Sequence, residues 1–371
     1  MTLLINNEVV ASVLTMEDTI RALENAYAKL ARQEAVCRPR IDIQVPTKDP
    51  NKIYQWGTME GGSWDGYFAI RMKSDVIYEQ EYNGAITQEK YCRQPGLFCG
   101  LILLNDVETG EPLAIINDGV LQHMRVGADS GIGVKYMAHE DAKVVGMLGS
   151  GGMARTHMDA FMVVRPNIER LQVFSPTRAN RETFGREMRE KFGIDVSVCE
   201  QPEDVYKDAD ILAGVTDSAV PVIKGQWIEP GTHIVNIGGG GGRPDAQTLA
   251  RIDVYFRFGN ATAPWGLPQM YLADEFITYA AKSHFEAGFK MKEAGKRGHG
   301  EALPDRMVTF QDLLGGTNRG RTSRDQITYS ERGNLQGNQF WAVGGVVYEK
   351  AKATGQGHEI PTEWFLQSIR D

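Results

Sequence analysis

Gly149, Gly151 and Ala154 fall at the spacing G-x-G-x-x-A, directly after the apolar run Val144, Val145, Met147 and Leu148. Each small residue suits one demand of pyrophosphate binding. The first permits a tight turn, the second lets the backbone approach the phosphates, and the third lets the following helix pack against its strand. Free N–H groups and a partial positive charge at the helix start favour an anion there. Ser150, Gly152 and Met153 complete the loop. Together these residues predict a dinucleotide site.

The tip of the next strand bears on which dinucleotide. Leu171 to Phe174 is apolar and ends 25 residues after Gly149, where the second strand of a dinucleotide unit should end. It runs into Ser175-Pro176-Thr177-Arg178, with no carboxylate until Glu182. A ribose 2′-hydroxyl is usually held by Asp or Glu, whereas a 2′-phosphate needs hydroxyls and an arginine. Ser175, Thr177 and Arg178 thus favour NADP(H), with NAD(H) as the alternative. Thr216 and Gly238, just past the next two apolar segments, join the expected cofactor-binding set.

Those segments are Asp210 to Val215 and His233 to Ile237. Strands alternating with helical stretches such as Arg181 to Phe192 predict an α/β fold with a Rossmann-type, doubly wound parallel sheet. Arg251 to Phe258 reads as a fifth strand, residues 284–302 as a charged surface helix, and Gln326 to Tyr329 as the last strand.

Ahead of this unit lies a different pattern. A short strand precedes a helix with Ile20, Leu23, Ala26, Tyr27 and Leu30 at helical spacing. Strand-like segments follow at Arg40 to Val45, Lys52 to Trp56, Tyr67 to Lys73, Gly100 to Asn105 and Leu113 to Ile116, the last two joined by the turn Glu108-Thr109-Gly110-Glu111-Pro112. They predict a separate mixed or antiparallel sheet. Leu121 to Ala138, rich in small residues, predicts a helix packed very close to a neighbour, with Arg125 near its start. Asn338 to Lys352 reads as a helix returning to the first domain.

With 371 residues, two domains are the natural expectation. A net charge of -8 with no strongly basic tract disfavours nucleic acid as a partner. Cys37, Cys92, Cys99 and Cys199 form no C-x-x-C pair, so neither a disulfide scaffold nor a metal site is expected, and reduced thiols point to the cytoplasm. No signal peptide and no membrane helix is expected.

The order of these features resembles the ornithine cyclodeaminase and mu-crystallin family. The matching pieces are Pro39-Arg40, Met72-Lys73, Val107 to Ala114, Arg125 with its small residues, and Gly149 to Ala154. The resemblance implies a Rossmann domain, residues 125–332, joined to a substrate-binding and dimerisation domain, residues 1–124 with 333–371, in a homodimer. It also implies a tightly held nicotinamide cofactor. Arg40 and Arg125 match arginines that hold the substrate carboxylate, a role suited to two guanidinium forks. Lys73 matches a lysine aimed at the reacting carbon, where burial and neighbouring arginines can lower its pKa. The resemblance makes Lys73 and Arg125 the catalytic candidates.

One departure narrows the chemistry. In cyclodeaminases an aspartate follows the fourth Rossmann strand; here the loop is Gly238 to Gly242, and Gly240 takes the matching, substrate-side position. Glycine cannot abstract a proton. Asn338 likewise stands where the family usually has a carboxylate. The leading expectation is an NADP(H)-dependent oxidoreductase at the C–N centre of an amino or imino acid. The alternatives are a cyclodeaminase-like lyase with internal hydride return, and a non-catalytic, mu-crystallin-like NADPH binder.

Other residues invite weaker readings. Hydrogen bonding explains His123 and packing explains His157 without a functional role. Trp56, Trp64 and Tyr78 suit the core better than a substrate pocket. The insert Glu79 to Gly96 has no counterpart in the family pattern and is open between lid, dimer contact and plain loop.

Overall fold

The computed structural model describes residues 1–82, 85–218, 220–237, 244–266, 277–281, 303–331 and 333–369. The chain starts with β1 (Thr2–Ile5), α1 (Asn7–Val13) and α2 (Met16–Ala31). Thr15 caps α2 by accepting from the Asp18 N–H, and Ile20, Leu23, Ala26 and Tyr27 form its buried stripe. Strands β2 (Ala35–Cys37), β3 (Ile41–Pro46), β4 (Ile53–Ser63), β5 (Tyr67–Tyr82), β6 (Ala85–Tyr91), β7 (Gly100–Asp106) and β8 (Pro112–Asn117) follow.

After α3 (Gly119–Met137) come β9 (Val144–Leu148), α4 (Gly152–Val164), β10 (Arg170–Phe174), α5 (Arg178–Phe192), β11 (Asp195–Val198), β12 (Ile211–Gly214) and β13 (His233–Asn236). Next are α6 (Ala246–Arg251), β14 (Val254–Arg257), β15 (Ile277–Ala280), β16 (Met307–Thr309), α7 (Phe310–Gly315), β17 (Thr328–Glu331), α8 (Gln336–Ala353) and β18 (His358–Ile360).

Among the described residues these strands form two sheets. Eight, in the order β11-β10-β9-β12-β13-β17-β14-β16, pair in parallel throughout. This is the doubly wound sheet expected from the alternating pattern, with β9 between β10 and β12. The sequence reading passed over β11, a four-residue edge strand with two exposed-side positions. It also passed over β16. Gln326 to Tyr329 overlaps β17, the last strand of this sheet in chain order as expected, and it lies between β13 and β14.

The other sheet has ten strands, with the path β15-β3-β4-β5-β7-β8-β1-β18 and with β2 on β4 and β6 on β5. It is mixed, because β1 runs parallel to β8 and β15 parallel to β3. Ile277–Ala280 therefore lies in this sheet although the sequence division assigns it to the nucleotide unit. The insert Glu79 to Gly96 is an antiparallel hairpin in which β6 returns along the far half of β5.

Helix α3 joins the two sheets. It packs on α4, β13 and β17 and also on α2. Its glycines allow that closeness: a Cβ on Gly127 would lie 2.4 Å from the Thr156 carbonyl oxygen. The stretch expected between 284 and 302 lies outside the described residues. Among those described, no helix is long and apolar enough to cross a membrane.

Candidate active site

A row across the first sheet builds the floor of the site. Asp42 on β3 pairs with Gly57 on β4, Gly57 with Lys73 on β5, and Lys73 with Gly100 on β7. Residues directly opposite on adjacent strands share a face. Arg71 and Asp75 lie on that same face, two residues either side of Lys73. All four charged groups are buried, Lys73 with 7% of its surface exposed and Asp75 with none.

Gly57 gives the row its shape, since a Cβ there would stand 2.5 Å from Asp42 Oδ1 and 3.0 Å from Lys73 Cε. Lys73 Nζ donates to Asp75 Oδ2 at 2.7 Å. Arg40 Nε donates to Asp42 Oδ1 at 2.8 Å. Between them, Gln55 with its amide oxygen turned inward accepts from Lys73 Nζ at 2.9 Å and from Arg40 Nη2 at 3.3 Å. The structure thus brings Arg40 and Lys73 to one amide.

Burial drives the Lys73 pKa down, Arg40 adds to the fall, and Asp75 and Asp42 oppose it; the balance is about 7. An ammonium that titrates there can gain or lose a proton near neutrality. Buried oxygens of Asp42 (Oδ2), Asp75 (Oδ1) and Asp118 (Oδ1) have no hydrogen-bond partner among the described residues. Buried polar atoms of this kind are usually satisfied by a ligand or water.

Arg125, in the second turn of α3, donates through Nη1 to Gln339 Oε1 at 2.6 Å and through Nη2 to Gln122 Oε1 at 2.8 Å. Gln339 Nε2 in turn donates to the Tyr27 hydroxyl and to Asp129 Oδ2, both at 2.7 Å. The Arg125 guanidinium lies 5.1 Å from the Phe340 ring centroid and that of Arg71 lies 5.5 Å from the same centroid. Arg71 also donates to Asp118 Oδ2 at 2.6 Å. Phe340 therefore ties Arg125 to the strand that carries Lys73.

The glycine turn meets its geometric demands. Gly149 has φ +123°, and a Cβ there would lie 2.2 Å from the Val215 carbonyl oxygen. Gly151 faces open space, with nothing within 4 Å of where its Cβ would be. It caps α4 with no side-chain hydrogen bond, so the first N–H groups of that helix stay available to a phosphate. Gly152 and Met153 form the first turn of α4, and Ala154 is fully buried.

Ser150 Oγ and Ser175 Oγ are 2.8 Å apart, which ties the loop to the tip of β10. Thr177 is the N-cap of α5, and Arg178 donates to Glu182 Oε1 at 2.7 Å. Thr216 follows β12, where its Oγ1 accepts from the Ser218 N–H at 3.2 Å. Gly238 and Gly240 lie outside the described residues.

His123 links the two halves of the site. Its Nδ1 bonds the Gly119 carbonyl oxygen at 2.9 Å, and its Nε2 would be 3.1 Å from a Cβ on Gly152. One helical turn of α3 therefore touches the glycine loop through His123 and, through Arg125 and the Phe340 ring, reaches Arg71 of the cationic floor.

Some residues point elsewhere. Trp56 pairs with Ser74, and Tyr78 with Glu89, on the opposite face from Lys73. Trp64 is exposed at the end of β4. His157 is buried between Ser130 Oγ and the Met153 carbonyl, a packing role. Among the described residues no group of three His, Cys, Asp or Glu is set to hold a metal ion.

Arg71, Asp75, Gln339 and Phe340 escaped the sequence reading. The alternation Arg71-x-Lys73-x-Asp75 in an otherwise apolar strand was a local signal for two of them. Gln339 and Phe340 carried none, because their partners lie more than 200 residues away.

Comparison with known proteins agrees with this geometry. The Delta(1)-pyrroline-2-carboxylate reductase of Bacillus cereus is 32% identical over 150 residues, 40% of this chain and 45% of that one. The match thus spans less than half the length of that relative. The alanine dehydrogenase of Archaeoglobus fulgidus is 26% identical over 363 residues, 97% of this chain and 98% of that one. Among solved structures, Thermococcus litoralis Delta(1)-pyrroline-2-carboxylate reductase, in complex with NADH and L-proline, has the same fold. Its TM-score is 0.70 at 24% identity, covering 97% of this chain and 100% of that one. The profile of the Ornithine cyclodeaminase/mu-crystallin family matches residues 97–355, and the chain belongs to that family.

Proposed function

We propose that the protein is an NADP(H)-dependent oxidoreductase acting at the C–N centre of an amino or imino acid. The observation that carries this reading is Lys73: buried, flanked by Gly57, sharing Gln55 with Arg40, and titrating near neutrality. The relatives named above, reductases and a dehydrogenase of small amino and imino acids, support the same class.

Arg40 and Arg125 grip the substrate carboxylate and so fix the α-carbon. Lys73 delivers a proton to the substrate nitrogen during reduction or removes it during oxidation. When bound, a nicotinamide cofactor would supply or accept the hydride. Gly149 to Ala154 would hold its pyrophosphate, and most of the rate gain would come from positioning. The glycines from 238 to 242 offer no carboxylate for releasing ammonia from ornithine, which favours this reading over the lyase.

The preference for NADP(H) rests on Ser175, Thr177 and Arg178 at a strand tip without a carboxylate. A homodimer rests on the other face of the first sheet, where Ile43, Val45, Met72 and Tyr279 expose apolar surface. A cytoplasmic location rests on the four free thiols.

The test is absorbance at 340 nm with NADPH, ammonia and a panel of 2-oxo acids. Consumption of NADPH supports the proposal. Silence across the panel with NADPH bound would overturn it, and ammonia release from L-ornithine without net absorbance change would favour the lyase.

A further inference from the structure

The hairpin of β5 and β6 carries a cation that the proposed mechanism does not use. Lys90 on β6 pairs with Ile77 on β5, and so shares the face of Arg71, Lys73 and Asp75. Its Nζ lies 5.4 Å from the centroid of Phe98, and the Arg71 guanidinium lies 5.8 Å from that same centroid. Arg71 is also the neighbour that Phe340 connects to Arg125. A ladder of alternating cations and rings results: Lys90, Phe98, Arg71, Phe340, Arg125. Its two ends are a lysine on the hairpin and the arginine proposed to hold the α-carboxylate.

Lys90 makes no ion pair with a described carboxylate. Asp75, the strongest of its charged neighbours, and Asp217, from the loop after β12, attract it without an ion pair, and Asp75 is already engaged by Lys73. Arg40 and Arg71 repel it, and although the residue as a whole is exposed, its ammonium is desolvated, which lowers its pKa. Its charged neighbours are two carboxylates and two arginines, and with Asp75 engaged by Lys73 the Lys90 ammonium can take a further anion.

Resting on the proposed function, we infer that Lys90 binds a second anionic group, so that the preferred substrate is a 2-imino or 2-amino acid whose side chain ends in a carboxylate. The α-carboxylate sits with Arg40 and Arg125, the α-carbon with Lys73, and the distal carboxylate under the hairpin. Phe98, two residues before β7, stands against both the Lys90 ammonium and the Arg71 guanidinium.

The test compares reductive amination of 2-oxoglutarate and oxaloacetate with that of 2-oxopentanoate and 2-oxobutyrate, alongside binding of the same acids to the NADP+ complex. The wild-type chain is expected to favour the dicarboxylates by about tenfold or more in kcat/KM. Lys90→Gln should reduce that ratio by about tenfold, mainly through KM, and Lys90→Arg should retain it. Turnover without dicarboxylate preference, or an unchanged ratio in the folded Lys90→Gln variant, overturns the inference but leaves the oxidoreductase reading intact. Dicarboxylate-selective binding that needs Lys90, with no turnover of any acid, upholds the inference and overturns the oxidoreductase reading. Neither turnover nor selective binding overturns both.

Discussion

Gly57 and Lys73 stand directly opposite each other on β4 and β5, and a methyl group on Gly57 would reach within 3.0 Å of Lys73 Cε and 2.5 Å of Asp42 Oδ1. Neither neighbour can retreat easily, because Asp42 is fully buried against Arg40 and Lys73 is held by Asp75. Gly57→Ala is expected to cost about 1–3 kcal/mol of stability by overpacking. It should also lower kcat/KM by more than tenfold, since Lys73 is displaced. Denaturant unfolding and steady-state kinetics measure the two effects separately.

Lys73 sets a pH dependence with a definite sign. In the proposed mechanism its ammonium is the proton donor for reduction, and it loses its proton as the pH rises through about 7. In the reductive direction kcat/KM should therefore fall above that value, and in the oxidative direction it should rise. Lys73→Ala should abolish the inflection and remove roughly 10²–10⁴ of the rate, the usual share of general acid–base catalysis. A pH profile with NADPH bound checks this.

Gly149 adopts φ +123° and presses on the Val215 carbonyl. Gly149→Ala meets both a strained backbone and a steric clash, with an expected loss of about 1–3 kcal/mol. Titration of NADPH fluorescence should show weakened binding, whereas Gly151→Ala, facing open space, should weaken binding without a matching loss of thermal stability.

His233 is fully buried between Thr328 Oγ1 and Ser330 Oγ, and burial holds its pKa well below the ordinary histidine value. In the unfolded chain the same group protonates near 6.5. The unfolded state thus binds more protons below that pH, and stability falls as the solution is acidified through it. Urea unfolding at pH 7.5, 6 and 5 should show the loss, and His233→Gln should flatten the slope.

Much of this fold was legible because the signals were local. The G-x-G-x-x-A turn after β9 carried its own geometry, and the small residues of α3 announced the contact with α4. What escaped depended on distance. β11 and β16, four and three residues long, are too short to show a pattern. In the site, Arg40, Lys73 and Arg125 came from a family pattern; the structure brings the first two to one amide and links the third to the Lys73 strand through Phe340 and Arg71. Gln339 and Phe340 could not, because a buried amide on α8 acquires meaning only when α3 folds against it. The hairpin looked like an unclassified insert because Lys90 joins the site through register with Ile77, not through sequence proximity.

The central claim is hydride passage between the cofactor and the α-carbon of an amino acid pinned by Arg40 and Arg125 beside Lys73. Deuterium carried on the nicotinamide C4 of NADPH tests it directly, with mass spectrometry of the amino acid formed from a 2-oxo acid and ammonia. The account predicts one deuterium on the product α-carbon, and its loss in Lys73→Ala together with turnover. An amino acid product free of label, formed while NADPH is consumed, would contradict it.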